Sequence, residues 1–98
     1  MVLYEVSLEV ESRLGAALAE YMTHDHIPAI WATGCFQRIR FDRASPSRFR
    51  TCYQAESQAE LDRYLQNHAP QLRAEFAGHF PEGVTLSREI WTTLEIWC

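Results

Sequence analysis

HDHIPAIWATGCF, residues 24–36, has an echo in HAPQLRAEFAGHF, residues 68–80. In the first, His26-x-Pro28 leads to Gly34-x-Phe36; in the second, His68-x-Pro70 leads to Gly78-x-Phe80. Pro28 has no N–H and restricts Ile27 to extended backbone, which predicts that a helix stops near His26. A proline suits the start of a new turn, here Ala29-Ile30-Trp31-Ala32, and Gly34 supplies the left-handed residue that closes it. Each half of the chain therefore reads as a helix that breaks at His-x-Pro and leaves through Gly-x-Phe. Two such halves are the pseudo-repeat of a split βαβ arrangement.

The flanking segments fit this frame. Tyr4, Val6, Leu8 and Val10 alternate with Glu5, Ser7 and Glu9, which predicts a strand with one buried face. From about Ser12, a plausible N-cap, the period changes: Leu14, Ala17, Leu18, Tyr21 and Met22 recur at helical spacing. Gly15 within the first turn costs about 1 kcal/mol of helix propensity relative to alanine. CFQRIRFDR (residues 35–43) is predicted as a second strand, with Ile39 and Phe41 opposite Phe36, Arg38 and Arg40. After the turn ASPS (residues 44–47), Arg48 to Ala55 is a third, with Phe49, Thr51, Tyr53 and Ala55 on one face. Ser57 and Glu60 form a capping box for a second helix carrying Leu61, Tyr64, Leu65 and His68, continued after the break by Leu72, Phe76 and Phe80. Residues 84–97 alternate throughout, which predicts a long last strand.

The order is strand, helix, strand, strand, helix, strand. The predicted fold is α+β, a ferredoxin-like βαββαβ domain spanning residues 1–98, with a four-stranded antiparallel sheet. Right-handed crossovers place two broken helices on one sheet face.

Composition narrows the function classes. Thirteen acids against nine bases give a net charge of −4, leaving no excess cation for phosphates, so neither nucleic acid nor an anionic membrane is expected as a partner. Cys35, Cys52 and Cys98 are odd in number and form no C-x-x-C pair, the pattern of reduced thiols in a cytoplasm. MVLYEVSLEV (residues 1–10) alternates and lacks a basic start, unlike a signal peptide. No apolar run approaches the roughly 18 residues of a membrane span.

With both helices on one face, the other face of the sheet is open. An antiparallel sheet tolerates that where Glu5, Ser7 and Glu9 point outward. Trp91 and Trp97 on the last strand fit water poorly, since each has on the order of 200 Å² to bury. A strand longer than its own sheet invites pairing, most economically with a second copy. The expectation is a homodimer with packed sheets, a dimeric α/β barrel. The alternative is a monomer in which the two tryptophans fold over the sheet edge.

Candidate site residues carry two readings each. His24 and His26 flank Asp25, but residues two apart on a helix diverge and no third ligand joins them at zinc spacing, so no metal is assigned. As residues of a last helical turn they suit free carbonyls and the negative dipole end. His26 and His68 are the candidate general bases, since histidine titrates near neutrality. Arg38, Arg40 and Arg50, with Arg43 and Arg48, either clamp an anion or pair across strands with glutamates. Trp31, Arg38, Tyr53, Tyr64 and Trp91 are the candidate ligand-binding residues, in a pocket lined by rings and a few polar groups; the same aromatics also serve a small core. No cysteine has a neighbouring base that would mark a reactive thiol. No cofactor is implied.

HIPAIWATGCF and FRTCYQAESQAELDRYLQNHAPQLRAEF (residues 26–36 and 49–76) resemble a family of small bacterial proteins of unknown function, across nearly the whole chain. That family is similar to the dimeric α/β-barrel superfamily, in which ferredoxin-like subunits pair through their sheets. The superfamily includes cofactor-free monooxygenases of aromatic and quinone-like compounds, small isomerases, haem enzymes and stress proteins, with the pocket between sheet and helices. The resemblance transfers no catalytic motif. It implies either a dimer that binds a small hydrophobic or aromatic metabolite or a protein partner without catalysis, or a cofactor-independent monooxygenase- or isomerase-type enzyme using His26 or His68 near Trp31, Tyr64 and Arg38.

Overall fold

A computed structural model describes residues 1–98. β1 (Val2–Val10) leads through a 3₁₀ turn (Ser12–Leu14) into α1 (Gly15–Tyr21), a π turn (Met22–His26) and α2 (Ile27–Trp31). β2 (Arg38–Ser45), β3 (Arg48–Ala55), α3 (Gln58–Asn67), α4 (Ala69–His79) and β4 (Val84–Thr92) follow. The sheet is antiparallel in the order β2-β3-β1-β4, the ferredoxin-like topology, with the helices on one face.

The alternation in β1 and β3 sorts residues as expected. Tyr4, Leu8, Phe49, Thr51 and Tyr53 are buried against the helices. Leu3, Glu5, Ser7 and Glu9 face the other way, in register with Gln54, Cys52, Arg50 and Arg48. Leu8, Leu18, Ile30 and Leu61 are fully buried, each contributing roughly 1.5–3 kcal/mol by leaving water. The core falls into two clusters. One gathers Tyr4, Ile30, Phe36, Tyr53, Leu61 and Tyr64, and the other Leu8, Leu18, Met22, Phe49 and Phe76.

Several details differ from the sequence expectation. The first helix does not stop at His26; the backbone stays helical from residue 15 to residue 31. Ile27 N–H reaches back five residues to the Met22 carbonyl. That wider turn accommodates Pro28, which in a regular α-helix would press its ring against the His24 carbonyl. Ser12 provides no side-chain cap; it lies in the 3₁₀ turn. β2 begins at Arg38, while Cys35 and Phe36 are buried in the preceding loop. Gly34 has φ +74°, as its role in closing the turn requires, but Gly78 is an ordinary residue of α4. The Ser57 hydroxyl accepts the Glu60 N–H at 3.3 Å, whereas the Glu60 carboxylate turns to Arg63. α3 and α4 do break at His68, which has φ −124°.

The last strand is shorter than the alternation predicts. Its only neighbour is β1, and the final bond of that ladder runs from Thr93 N–H to the Met1 carbonyl. Residues 94–98 form no further ladder; Leu94, Glu95 and Trp97 border a shallow depression with Leu3, Glu5 and Trp91, and Leu94 is 94% and Trp97 83% exposed. No helix is long and apolar enough to cross a membrane. The three cysteines are free thiols.

Candidate functional site

At the seam between the two core clusters lies a cavity of about 260 Å³, bounded by β1, β3 and β4 below and by the helices above. Tyr4, Tyr53 and Tyr64 line one end, and His26, Met22 and Phe76 the other. Arg73 and Ala77 of α4 and Arg88 of β4 are the exposed members of the lining, so the mouth opens between α4 and the edge strand.

The tyrosines reach the cavity through sheet register and helix phase. Tyr4 and Tyr53 are cross-strand partners, with ring centroids 5.8 Å apart. Tyr64 enters from α3 at 6.3 Å from Tyr4, and Phe36 packs behind it at 4.9 Å. Burial pushes the Tyr53 phenol up to about 12 and raises that of Tyr64 as well, so both remain protonated donors near neutrality. Arg73 Nη2 donates to the Tyr4 hydroxyl at 3.0 Å.

The π turn places His26. In a regular helix each residue advances about 100°, so Leu18 and Ile30, twelve residues apart, would diverge by about 120°. One extra residue in the π turn removes most of that drift. Leu18, Met22, His26 and Ile30, spaced by four, therefore share the inward side. The His26 ring sits 5.4 Å from Phe76 and 5.9 Å from Tyr21. Its Nδ1 is shut off from solvent and has no hydrogen-bond partner. Burial lowers its pKa despite the opposing pull of Glu75, so the imidazole is neutral at pH 7.

The other sequence candidates lie elsewhere. His68 stacks beside Tyr64 at 6.4 Å and does not line the cavity. Its imidazole caps no helix end by a side-chain bond. Trp31 and Arg38 come together with Ile27 and Ile39 in a separate shallow depression. Trp91 lies on the outer face beside Leu3, near Trp97. Arg50 pairs across strands with Asp42 at 3.1 Å and Arg40 pairs with the same carboxylate along β2 at 3.5 Å, so the acid that these two arginines meet is an aspartate of their own hairpin and not one of the expected glutamates. His24 is exposed, and no three His, Cys, Asp or Glu side chains converge.

Four cavity residues with polar groups were not among the site candidates of the sequence: Tyr4, Thr51, Arg73 and Arg88. Arg88 had left a signal. It occupies an inward position of the Val84, Leu86, Arg88, Ile90 alternation, where an apolar residue is expected. Arg73 follows Leu72 on the edge of the apolar stripe of α4 and carried no such mark.

Similar folds occur in solved structures. A monooxygenase from the gene ActVA-Orf6 of Streptomyces coelicolor, in complex with the ligand nanaomycin D, superposes with a TM-score of 0.74 at 16% identity, covering 99% of this chain and 90% of that one. SnoaB, a cofactor-independent oxygenase from Streptomyces nogalater, gives 0.70 at 15% identity, covering 97% and 94%. A dimeric ferredoxin-like protein from an uncultured marine organism gives 0.70 at 6% identity, covering 100% and 99%. At such identities the likeness is one of fold. Among curated proteins, none is significantly similar to this chain in sequence. Residues 1–94 match the model of the domain of unknown function DUF4286, and the chain belongs to that family.

Proposed function

We propose that this chain is a cytoplasmic homodimer of one-domain subunits whose interior cavity binds a small aromatic metabolite. The observation that carries the binding reading is the cavity at the seam of the core. It is near the lower end of the roughly 300–1,000 Å³ usual for ligand pockets, is mainly apolar, and has a few convergent polar groups. A one- or two-ring compound matches its size better than a large polycycle does.

The outer sheet face supports the dimer. On that face Trp91 is half exposed, and past the end of β4 Leu94, Ile96 and Trp97 are more so. Charge on this face is divided. Arg38, Arg40, Arg48 and Arg50, with Asp42, occupy the β2–β3 half; Glu5, Glu9 and Glu89 occupy the β1–β4 half. A two-fold axis parallel to the strands lays the basic half of one copy over the acidic half of the other, while an axis across the strands sets like over like. One fold neighbour is described as dimeric, which agrees. Free thiols agree with a reducing compartment. Native mass spectrometry of gently purified protein tests the reading. Twice the 11.4 kDa subunit mass with an adduct of aromatic composition is expected, and a monomer would remove the dimer.

A second reading is cofactor-independent catalysis on a phenolic or quinone-like compound, with His26 as proton acceptor. The neutral, unpartnered imidazole at the cavity favours it, and the neighbours described as oxygenases agree. His26→Gln separates the two readings: unchanged affinity with lost turnover supports catalysis, whereas absence of turnover in the unaltered protein supports binding alone.

A further inference from the structure

We infer that the ligand of the cavity is an aromatic acid, a planar ring system whose anionic group is held at the mouth between Arg73 and Arg88. This inference rests on the reading of the cavity as a ligand site and names the class of compound it takes.

The argument is one of charge. The protein carries a net charge of −4, yet the lining contains two arginines and a histidine and no aspartate or glutamate. The cavity is thus a place where the sign of the protein is locally reversed. Neither arginine is neutralised from within. The four ion pairs of the structure use Arg13, Arg40, Arg50 and Arg63. Arg73 donates to a neutral phenol, and Arg88 has no side-chain partner. The acid closest in influence, Glu75, accepts from Gln71 at 3.3 Å and does not line the cavity.

Position adds to charge. Arg88 is cross-strand partner to Val6 and shares its helix-side face, flanked there by the apolar Leu86 and Ile90. Both guanidiniums act on the interior: Arg88 opposes the burial that raises Tyr53, and Arg73 does the same at Tyr64. Two planar, fixed-charge donors flanking the mouth match a carboxylate, which accepts such bonds in pairs. Behind them the rings of Tyr4, Tyr53 and Tyr64 leave an apolar slot for the aromatic body.

The test compares 2-naphthoate with its neutral isostere 2-naphthamide by titration calorimetry on the full chain, in the unaltered protein and in Arg88→Gln and Arg13→Gln. Arg13 is exposed in the 3₁₀ turn, away from the cavity and from the outer sheet face, and controls for net charge. The naphthoate is expected to bind at least tenfold tighter than the amide. Arg88→Gln is expected to reduce that ratio below threefold without changing amide affinity, and Arg13→Gln to leave the ratio intact. Equal binding of acid and amide, or a ratio insensitive to Arg88, overturns the aromatic-acid assignment while the cavity remains a ligand site. Binding of neither compound at millimolar concentration overturns both.

Discussion

The Arg73 guanidinium donates a 3.0 Å hydrogen bond to the Tyr4 hydroxyl, joining α4 to the inner face of β1 at the mouth of the cavity. Arg73 is exposed while Tyr4 is buried. On loss of the hydroxyl the guanidinium recovers water, so Tyr4→Phe is expected to cost about 1 kcal/mol or less. Urea denaturation measures this. A loss above about 3 kcal/mol would mean that the hydroxyl holds a wider network than this single bond.

Gly15→Ala sets helix propensity against packing. Propensity alone favours alanine by about 1 kcal/mol. A Cβ at this position would strike the backbone carbonyl of Pro46, in the turn between β2 and β3. That turn is held in place by the Val10 N–H bond to the Ser47 carbonyl at 2.9 Å, so the obstacle is backbone and cannot rotate away. The substitution is therefore expected to destabilise by about 1–3 kcal/mol, the usual cost of overpacking. A thermal melt that rises would refute the close approach.

His26 should leave a mark on the pH dependence of stability. Burial holds its folded-state pKa below the ordinary 6.5. Above that value both folded and unfolded chains carry a neutral imidazole, and the group contributes its full stabilisation. As the pH falls below 6.5, the unfolded chain takes up a proton that the folded chain resists. Stability is lost until the folded-state pKa is passed. Urea midpoints between pH 7.5 and 5 are expected to fall more steeply for the unaltered protein than for His26→Gln. Parallel curves would show that the imidazole is not withheld from protonation.

Charge reversal tests the divided outer face. Arg40→Glu with Arg50→Glu on one protein, and Glu5→Arg with Glu89→Arg on another, should each weaken self-association at least tenfold in sedimentation velocity. Mixed in equal amounts, the two are expected to form a heterodimer, because like charges then face opposite ones again. Failure of the mixture to associate would exclude the axis parallel to the strands. Trp91→Ala is expected to weaken the dimer without lowering monomer stability, since Trp91 is already half exposed in the single subunit.

Much of the architecture was legible because it rests on local periodicity. The alternation of Tyr4, Val6, Leu8 and Val10, the matching run from Phe49 to Ala55, and the cap at Ser57 act within a few residues, so the sequence carries them directly. The helix around Pro28 was misread for an equally local reason. A proline rule assumes α-helical hydrogen bonding, and the chain instead widened one turn. The four-residue spacing of Leu18, Met22, His26 and Ile30 was the available signal, since a strict period of four fits a helix only where one turn holds an extra residue.

The site was legible only in part. His26, Tyr53 and Tyr64 line the cavity as polar or aromatic residues within apolar stripes, whereas Trp31, Arg38, Trp91 and His68 lie outside it. By itself the sequence determined the order of strands and helices, the buried face of each strand, and a net negative charge. Only the tertiary structure decided that Gly15 must yield to the Pro46 carbonyl, that residues 94–98 outrun β1, and that Arg73 and Arg88 meet at one opening. Hydrophobic period records which side of an element is buried. It carries no record of which elements meet across the core, because that depends on contacts between residues as far apart as Tyr4 and Arg73.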